Sequence, residues 1–163
     1  HHFNWVQIAA GVNHPNHGQK LDLNKFVNEQ AEIEDANVVL LPNKGYGDIR
    51  LIRQVLNEFK PDALMIFTDP RYFEWLFQIE NEIRTDIPII YYNIWDSPPA
   101  PMYNKPYYES CDALLAISKQ TENINRVVLG EELSKEKVIK YVPHGINSNK
   151  FYPVLDADKL SKM

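Results

Sequence analysis

A parallel β-sheet layered with α-helices is the fold class this sequence predicts, and three observations predict it. Short apolar runs of strand length alternate with longer amphipathic stretches from one end to the other. Several runs are apolar throughout, as in strands covered on both faces. The segments between them are of helix length, which parallel strands require and hairpin strands do not.

The elements follow in order. Residues 3–12 (FNWVQIAAGV) read as a first strand, followed by a polar loop with His14, Asn16 and His17. Residues 37–41 (NVVLL) are a compact strand ended by Pro42-Asn43. In 48–60, Ile49, Ile52, Leu56 and Phe59 recur at helical spacing with Arg50, Arg53 and Glu58 between them, and Pro61 closes that helix. Residues 63–67 (ALMIF) are the next strand. Asp69-Pro70 then puts an acceptor at a helix N-cap and proline at its first position, opening a helix whose stripe is Tyr72, Leu76, Ile79 and Ile83.

Residues 87–94 (IPIIYYNI) form a strand with Pro88 near its start, where a missing N–H is tolerated. A loop at 95–108 (WDSPPAPMYNKPYY) carries one Trp, three Tyr and four Pro. Residues 113–117 (ALLAI) are a strand, Ser118 caps a helix to about Leu129, and 138–142 is the last strand. Six strands with helical connections predict an α/β fold: a Rossmann-like parallel sheet with helices on both faces.

Composition bounds the function. The 163 residues are 44% hydrophobic and 24% charged, enough for a domain with a real core. A net charge of −5 argues against nucleic acid as the main partner. The single cysteine, Cys111, excludes an intrachain disulfide, and no apolar run approaches the ~20 residues of a membrane span. The opening His1-His2-Phe3-Asn4 has neither a signal-peptide pattern nor an initiator Met, so a fragment, processed or trimmed form is expected, with the cytoplasm as its compartment.

In open parallel sheets ligands bind beyond the carboxyl ends of the strands. Those ends supply Gly11, Asn43 with Lys44, Thr68 with Asp69 and Arg71, Asn93 with Asp96, Ser118 with Lys119, and His144 with Gly145. Asp69 and Ser118 are helix caps first, though caps sit at the rim of the same cleft. Arg71 opposes the helix dipole in the first turn, so it answers either a nearby acid or an anionic ligand. The rigid aromatics of the 95–108 loop either stack on sugar rings or pack a long connector on the sheet. Other motifs fail. His14 and His17 lack a third ligand, so a metal site is not expected and a polar surface loop is. Gly45-Tyr46-Gly47 lacks the third glycine of a dinucleotide turn and reads as a loop needing glycine torsions. No nucleophile elbow is present, and Cys111 beside Asp112 has no activating cation near it in sequence.

Three stretches carry a family resemblance: Lys60-Pro61-Asp62-Ala63-Leu64, then Cys111-Asp112-Ala113 to Ser118, then Val142-Pro143-His144-Gly145-Ile146-Asn147 with Phe151-Tyr152-Pro153. Over roughly residues 36–153 the chain resembles the amino-terminal domain of GT-B glycosyltransferases of the family-4-like group (glycosyl transferases group 1). His144 stands where Asn is commoner, and Asn147 where Asp is. The resemblance implies that residues 1–153 are a Rossmann-like acceptor-side domain lacking its first strand-helix unit, and that 154–163 begin an interdomain linker or tail. One strand position would then be empty and its apolar neighbours exposed.

The implied activity is transfer of a sugar from a nucleotide-sugar donor to a glycan or lipid-linked acceptor, as in polysaccharide biosynthesis. A carboxyl-terminal donor-binding domain would be the partner, and this segment alone would be inactive. Asp69, Arg71, Trp95, Asp96, Tyr103 and Ser118 are the expected acceptor-binding residues, and His144 with Gly145 the donor-side or hinge residues. No catalytic residue is assigned. No metal and no cofactor beyond the donor substrate is expected, and peripheral membrane attachment of the full enzyme stays open. The alternative is a non-catalytic α/β ligand-binding or scaffold domain. A sugar-nucleotide epimerase fits the VPHGIN ending less well.

Overall fold

The computed structural model describes residues 3–10, 13–148 and 150–153. The predicted segment 154–163, Gly11 and the end of the first expected strand at Val12 lie outside the described residues. All six apolar runs form strands, but they do not join one sheet.

The first sheet has three strands. β1 (Asn4–Ala9) runs parallel to β3 (Asn37–Pro42), and the two-residue β2 (Leu21–Asp22) pairs antiparallel on the other side of β3. Between β2 and β3 runs α1 (Asn24–Ala31), which buries no residue fully. The Asn24 side chain accepts from the Val38 N–H at 2.7 Å, and Asn28 accepts from Ala36 at 2.8 Å, so side-chain amides fasten this helix to the strand.

The second sheet is all parallel: β4 (Leu64–Phe67), β5 (Ile89–Asn93), β6 (Ala113–Ala116) and β7 (Val138–Tyr141), side by side in chain order. Helices flank it: α2 (Ile49–Phe59), α3 (Glu74–Phe77), α4 (Glu80–Arg84), α5 (Lys105–Glu109), α6 (Lys119–Leu129) and α7 (Glu131–Glu136). Asp48 caps α2 by accepting from Leu51 N–H at 2.9 Å, and the helix ends where Lys60 turns left-handed (φ 45°) just before Pro61. The helix expected after Asp69 is broken into a 3-10 turn at Pro70–Phe73, then α3 and α4. Leu76 and Ile83 of its predicted stripe are buried, whereas Tyr72 is exposed.

Burial alternates along this sheet. Ile66, Ile89, Tyr91, Leu114 and Ile139 are buried in one cluster with Ile52 of α2, Leu76 of α3, Ile83 of α4, Tyr108 of α5 and Ile124, Val128 and Leu129 of α6. Each large side chain buried there contributes about 1.5–3 kcal/mol. Met65, Phe67 and Val138 on the opposite face are exposed. On that opposite face Tyr92 is buried, so the cover expected on both faces is partial there rather than complete.

Asp112 locks the sheet at its amino end. Its carboxylate accepts from the Ile89 N–H at 2.8 Å and from both Nε and an Nη of Arg84, whose other Nη pairs with Glu80 at 2.9 Å. The two sheets meet through side chains rather than a ladder. Tyr46 stacks on Tyr72, the Gly47 backbone abuts the Trp75 ring, and Ile8 packs against the cluster. Among the described residues, β1 pairs with β3 alone and β4 with β5 alone, so each keeps one unpaired edge.

Candidate functional site

The carboxyl ends of β4, β5 and β6 gather the side chains that look most like a site. Leaving β4, Thr68 takes a left-handed conformation (φ 84°), uncommon for a β-branched residue, and turns the chain into Asp69. Asp69 caps the 3-10 turn by accepting from the Arg71 N–H at 3.0 Å. The same carboxylate takes two parallel bonds from the Arg71 guanidinium, Nε to Oδ1 at 3.0 Å and Nη2 to Oδ2 at 2.5 Å. Of the two answers expected for a cation set against the helix dipole, this is the nearby acid.

The pair sets the chemistry of both groups. Arg71 holds the Asp69 carboxyl below the usual carboxylate range, against partial burial that works the other way. The Asp69 carboxylate in turn keeps Arg71 firmly charged. Asp69 is thus an acceptor of hydrogen bonds near neutral pH and a poor acceptor of protons.

The aromatic residues complete the rim. The Arg71 guanidinium lies over the Tyr103 ring, 5.2 Å from its centre, and Tyr103 meets Trp95 edge-on at 6.2 Å. Tyr103 is 55% exposed, so its ring is available to a ligand. The 95–108 loop holds these rings with a cis Pro98–Pro99 bond and a short 3-10 turn, Met102–Asn104, ahead of α5.

Trp95 is fixed from below by a buried polar column that sequence reasoning missed. Its backbone N–H donates to Asn93 Oδ1 at 2.9 Å, and its carbonyl accepts from the Thr121 hydroxyl at 2.8 Å. The Asn93 amide nitrogen donates to the Tyr108 hydroxyl at 2.8 Å and to Asn125 Oδ1. Burial pushes the Tyr108 hydroxyl up to about 12 and raises Tyr91 as well, so both stay protonated. Ser118 caps α6 by accepting from the Thr121 N–H at 3.0 Å, and its hydroxyl meets that of Thr121 at 2.9 Å. It therefore reaches Trp95 through Thr121, as a support for the rim. The available signal was Thr121 and Asn125, two polar residues on the apolar stripe with Ile124 and Val128.

The remaining predicted residues lie elsewhere. Asp96, the residue after Trp95, is exposed, with no hydrogen bond or ion pair to the four clustered side chains among the described residues. His144 stacks on Tyr92 at 5.4 Å and nears Phe67 at 6.2 Å, over the exposed sheet face, and Gly145 is exposed beside it. Tyr92 donates to the Val142 carbonyl at 2.6 Å, holding the exit of β7 against β5.

Gly45 and Gly47 both have positive φ, as a loop needing glycine torsions requires. A Cβ on Gly47 would fall 2.9 Å from the Trp75 ring. Tyr46 between them stacks on Tyr72, the residue after Arg71, at 4.3 Å. Cys111 does gain a cation from far along the chain, for Lys137 donates to its carbonyl at 2.6 Å. Burial still prevails and pushes the thiol up to about 12, so it is no nucleophile.

Among the described residues no group of three or more His, Cys, Asp or Glu is gathered for a metal, and no helix is long and apolar enough to cross a membrane. No family model matches the sequence, and no curated protein or solved structure matches it. The rim joins flat aromatic faces to one carboxylate and one guanidinium. Such a surface suits a polyhydroxylated ring, whose C–H faces stack while its hydroxyls donate to Asp69 and accept from Arg71.

Proposed function

We propose that this chain is the acceptor-side domain of a GT-B glycosyltransferase of the family-4-like group, which transfers a sugar from a nucleotide-sugar donor to a glycan or lipid-linked acceptor. The observation that carries the proposal is the rim of Asp69, Arg71, Trp95 and Tyr103 at the carboxyl ends of parallel strands. In this reading the rim orients the acceptor hydroxyl and supplies no proton transfer, and the donor is bound by a carboxyl-terminal domain. His144 and Gly145 are the donor-side or hinge residues, and peripheral membrane attachment of the full enzyme fits a lipid-linked acceptor.

The test is transfer by the full-length protein from a panel of nucleotide sugars. Asp69→Ala and Arg71→Ala should each raise the acceptor KM by roughly tenfold or more, the effect of losing a charged hydrogen bond. Unchanged transfer by both variants would remove the rim from the acceptor site. Saccharide binding without transfer from any donor would favour a non-catalytic binding domain.

A further inference from the structure

A second pocket lies at the carboxyl ends of the other parallel pair, β1 and β3. It has a volume of about 290 Å³ and is lined by Asn13, His14, Pro15, His17 and Lys44. Its walls are the loops after the two strands, tied together by Gly18 N–H to the Pro42 carbonyl at 3.1 Å and Asn43 N–H to the Ala9 carbonyl at 2.9 Å. In a protein of net charge −5, this lining holds a lysine and two imidazoles and no acid. Lys44 makes no ion pair among the described residues. The His14 ring is oriented: its Nδ1 accepts the Asn16 backbone N–H at 3.1 Å, which puts the ring proton on Nε2 as a donor. That bond also occupies one of the nitrogens a metal would need, and no third ligand is gathered there among the described residues.

We propose that this pocket binds a phosphate or diphosphate group, with Lys44 as its charge and His14 Nε2–H, His17 and the Asn13 amide as further donors. Donors without a competing carboxylate, at the ends of adjacent parallel strands, are the chemistry that recognises a compact oxyanion. The loop that carries Lys44 also carries Tyr46, which stacks on Tyr72, the residue after Arg71. The proposal does not depend on the transferase reading. The phosphate group has two sources, a soluble phosphorylated compound or a phospholipid head group.

Inorganic pyrophosphate titrated into the labelled protein should shift the amides of 13, 14, 16–18 and 44–45. Lys44→Ala should weaken binding by roughly tenfold. Lys60→Ala, an exposed lysine at the far end of α2, should leave it unchanged. Sedimentation with phosphatidic acid vesicles but not phosphatidylcholine vesicles, lost in Lys44→Ala, would assign the head group; pyrophosphate binding without sedimentation would assign a soluble ligand. Absence of site-localised shifts at pyrophosphate on the order of 10 mM, together with no sedimentation, would overturn the proposal. So would equal weakening by Lys60→Ala, or imidazole shifts with Zn²⁺ and none with pyrophosphate. Lys44 is exposed, so melting of the variant should match the parent and exclude misfolding.

Discussion

The two sheets of this protein are built from similar apolar runs and have very different interiors. β4 to β7 supply Ile66, Ile89, Tyr91, Leu114 and Ile139 to one cluster with residues from α2 to α6. β1 to β3 bury only Pro42 fully, and α1 buries nothing. The four-stranded sheet therefore carries most of the stability and holds the rim of Asp69, Arg71, Trp95 and Tyr103. The three-stranded sheet contributes loops, including Lys44 and Tyr46, through a junction of a few side chains. A rigid platform and a looser flap are what that difference predicts, with local opening of β1 and β3 below the free energy of global unfolding.

The largest expected effect tests the platform. Leu114→Ala, at 0% exposure in the middle of the parallel sheet, should destabilise by about 2–5 kcal/mol. Val39→Ala on half-buried β3 should lose no more than about 1 kcal/mol in the same urea titration. Equal losses would end the distinction between the sheets. Gly47→Ala tests the junction. Its φ of 98° and the nearby Trp75 ring make a side chain strained, for about 1–2 kcal/mol. Hydrogen exchange in that variant should quicken in β1 and β3 and stay slow in β5 and β6.

The smallest effect concerns pH and the platform alone. At Asp112 burial works to raise the carboxyl, but the Arg84 guanidinium and the Ile89 N–H prevail and hold it below its unfolded value of 3.8. A lowered folded pKa means the contribution is complete above that unfolded value and lost as pH falls through the folded one. Urea midpoints should fall from about pH 5 to about pH 2 more steeply in the parent than in Asp112→Asn, by at most about 1 kcal/mol after solvent screening.

The strands were legible because apolar runs are local, and so were the caps, for Asp69 and Ser118 each reach an N–H two or three residues away. The Asp69–Arg71 pair was one of the two readings that the dipole argument allowed. Division into two sheets was not legible: apolar runs do not show which face is covered, and Met65 and Phe67 look as buried as Ile66 in sequence. β2 and α1 were missed because they bury nothing fully, so no apolar period marks them. The polar column under Trp95 was missed because it joins Asn93 to residues 15 and 32 positions away, and Lys137 comes 26 residues after Cys111.

One measurement bears most directly on the rim: the amide and indole spectrum of the labelled chain during titration with a panel of oligosaccharides. Binding should shift the Trp95 indole signal and the amides of 69, 71, 72 and 103, and Tyr103→Ala should abolish those shifts while leaving the protein folded. No response of those groups to any saccharide, or the same response in Tyr103→Ala, would contradict an acceptor site at the carboxyl ends of β4 and β5.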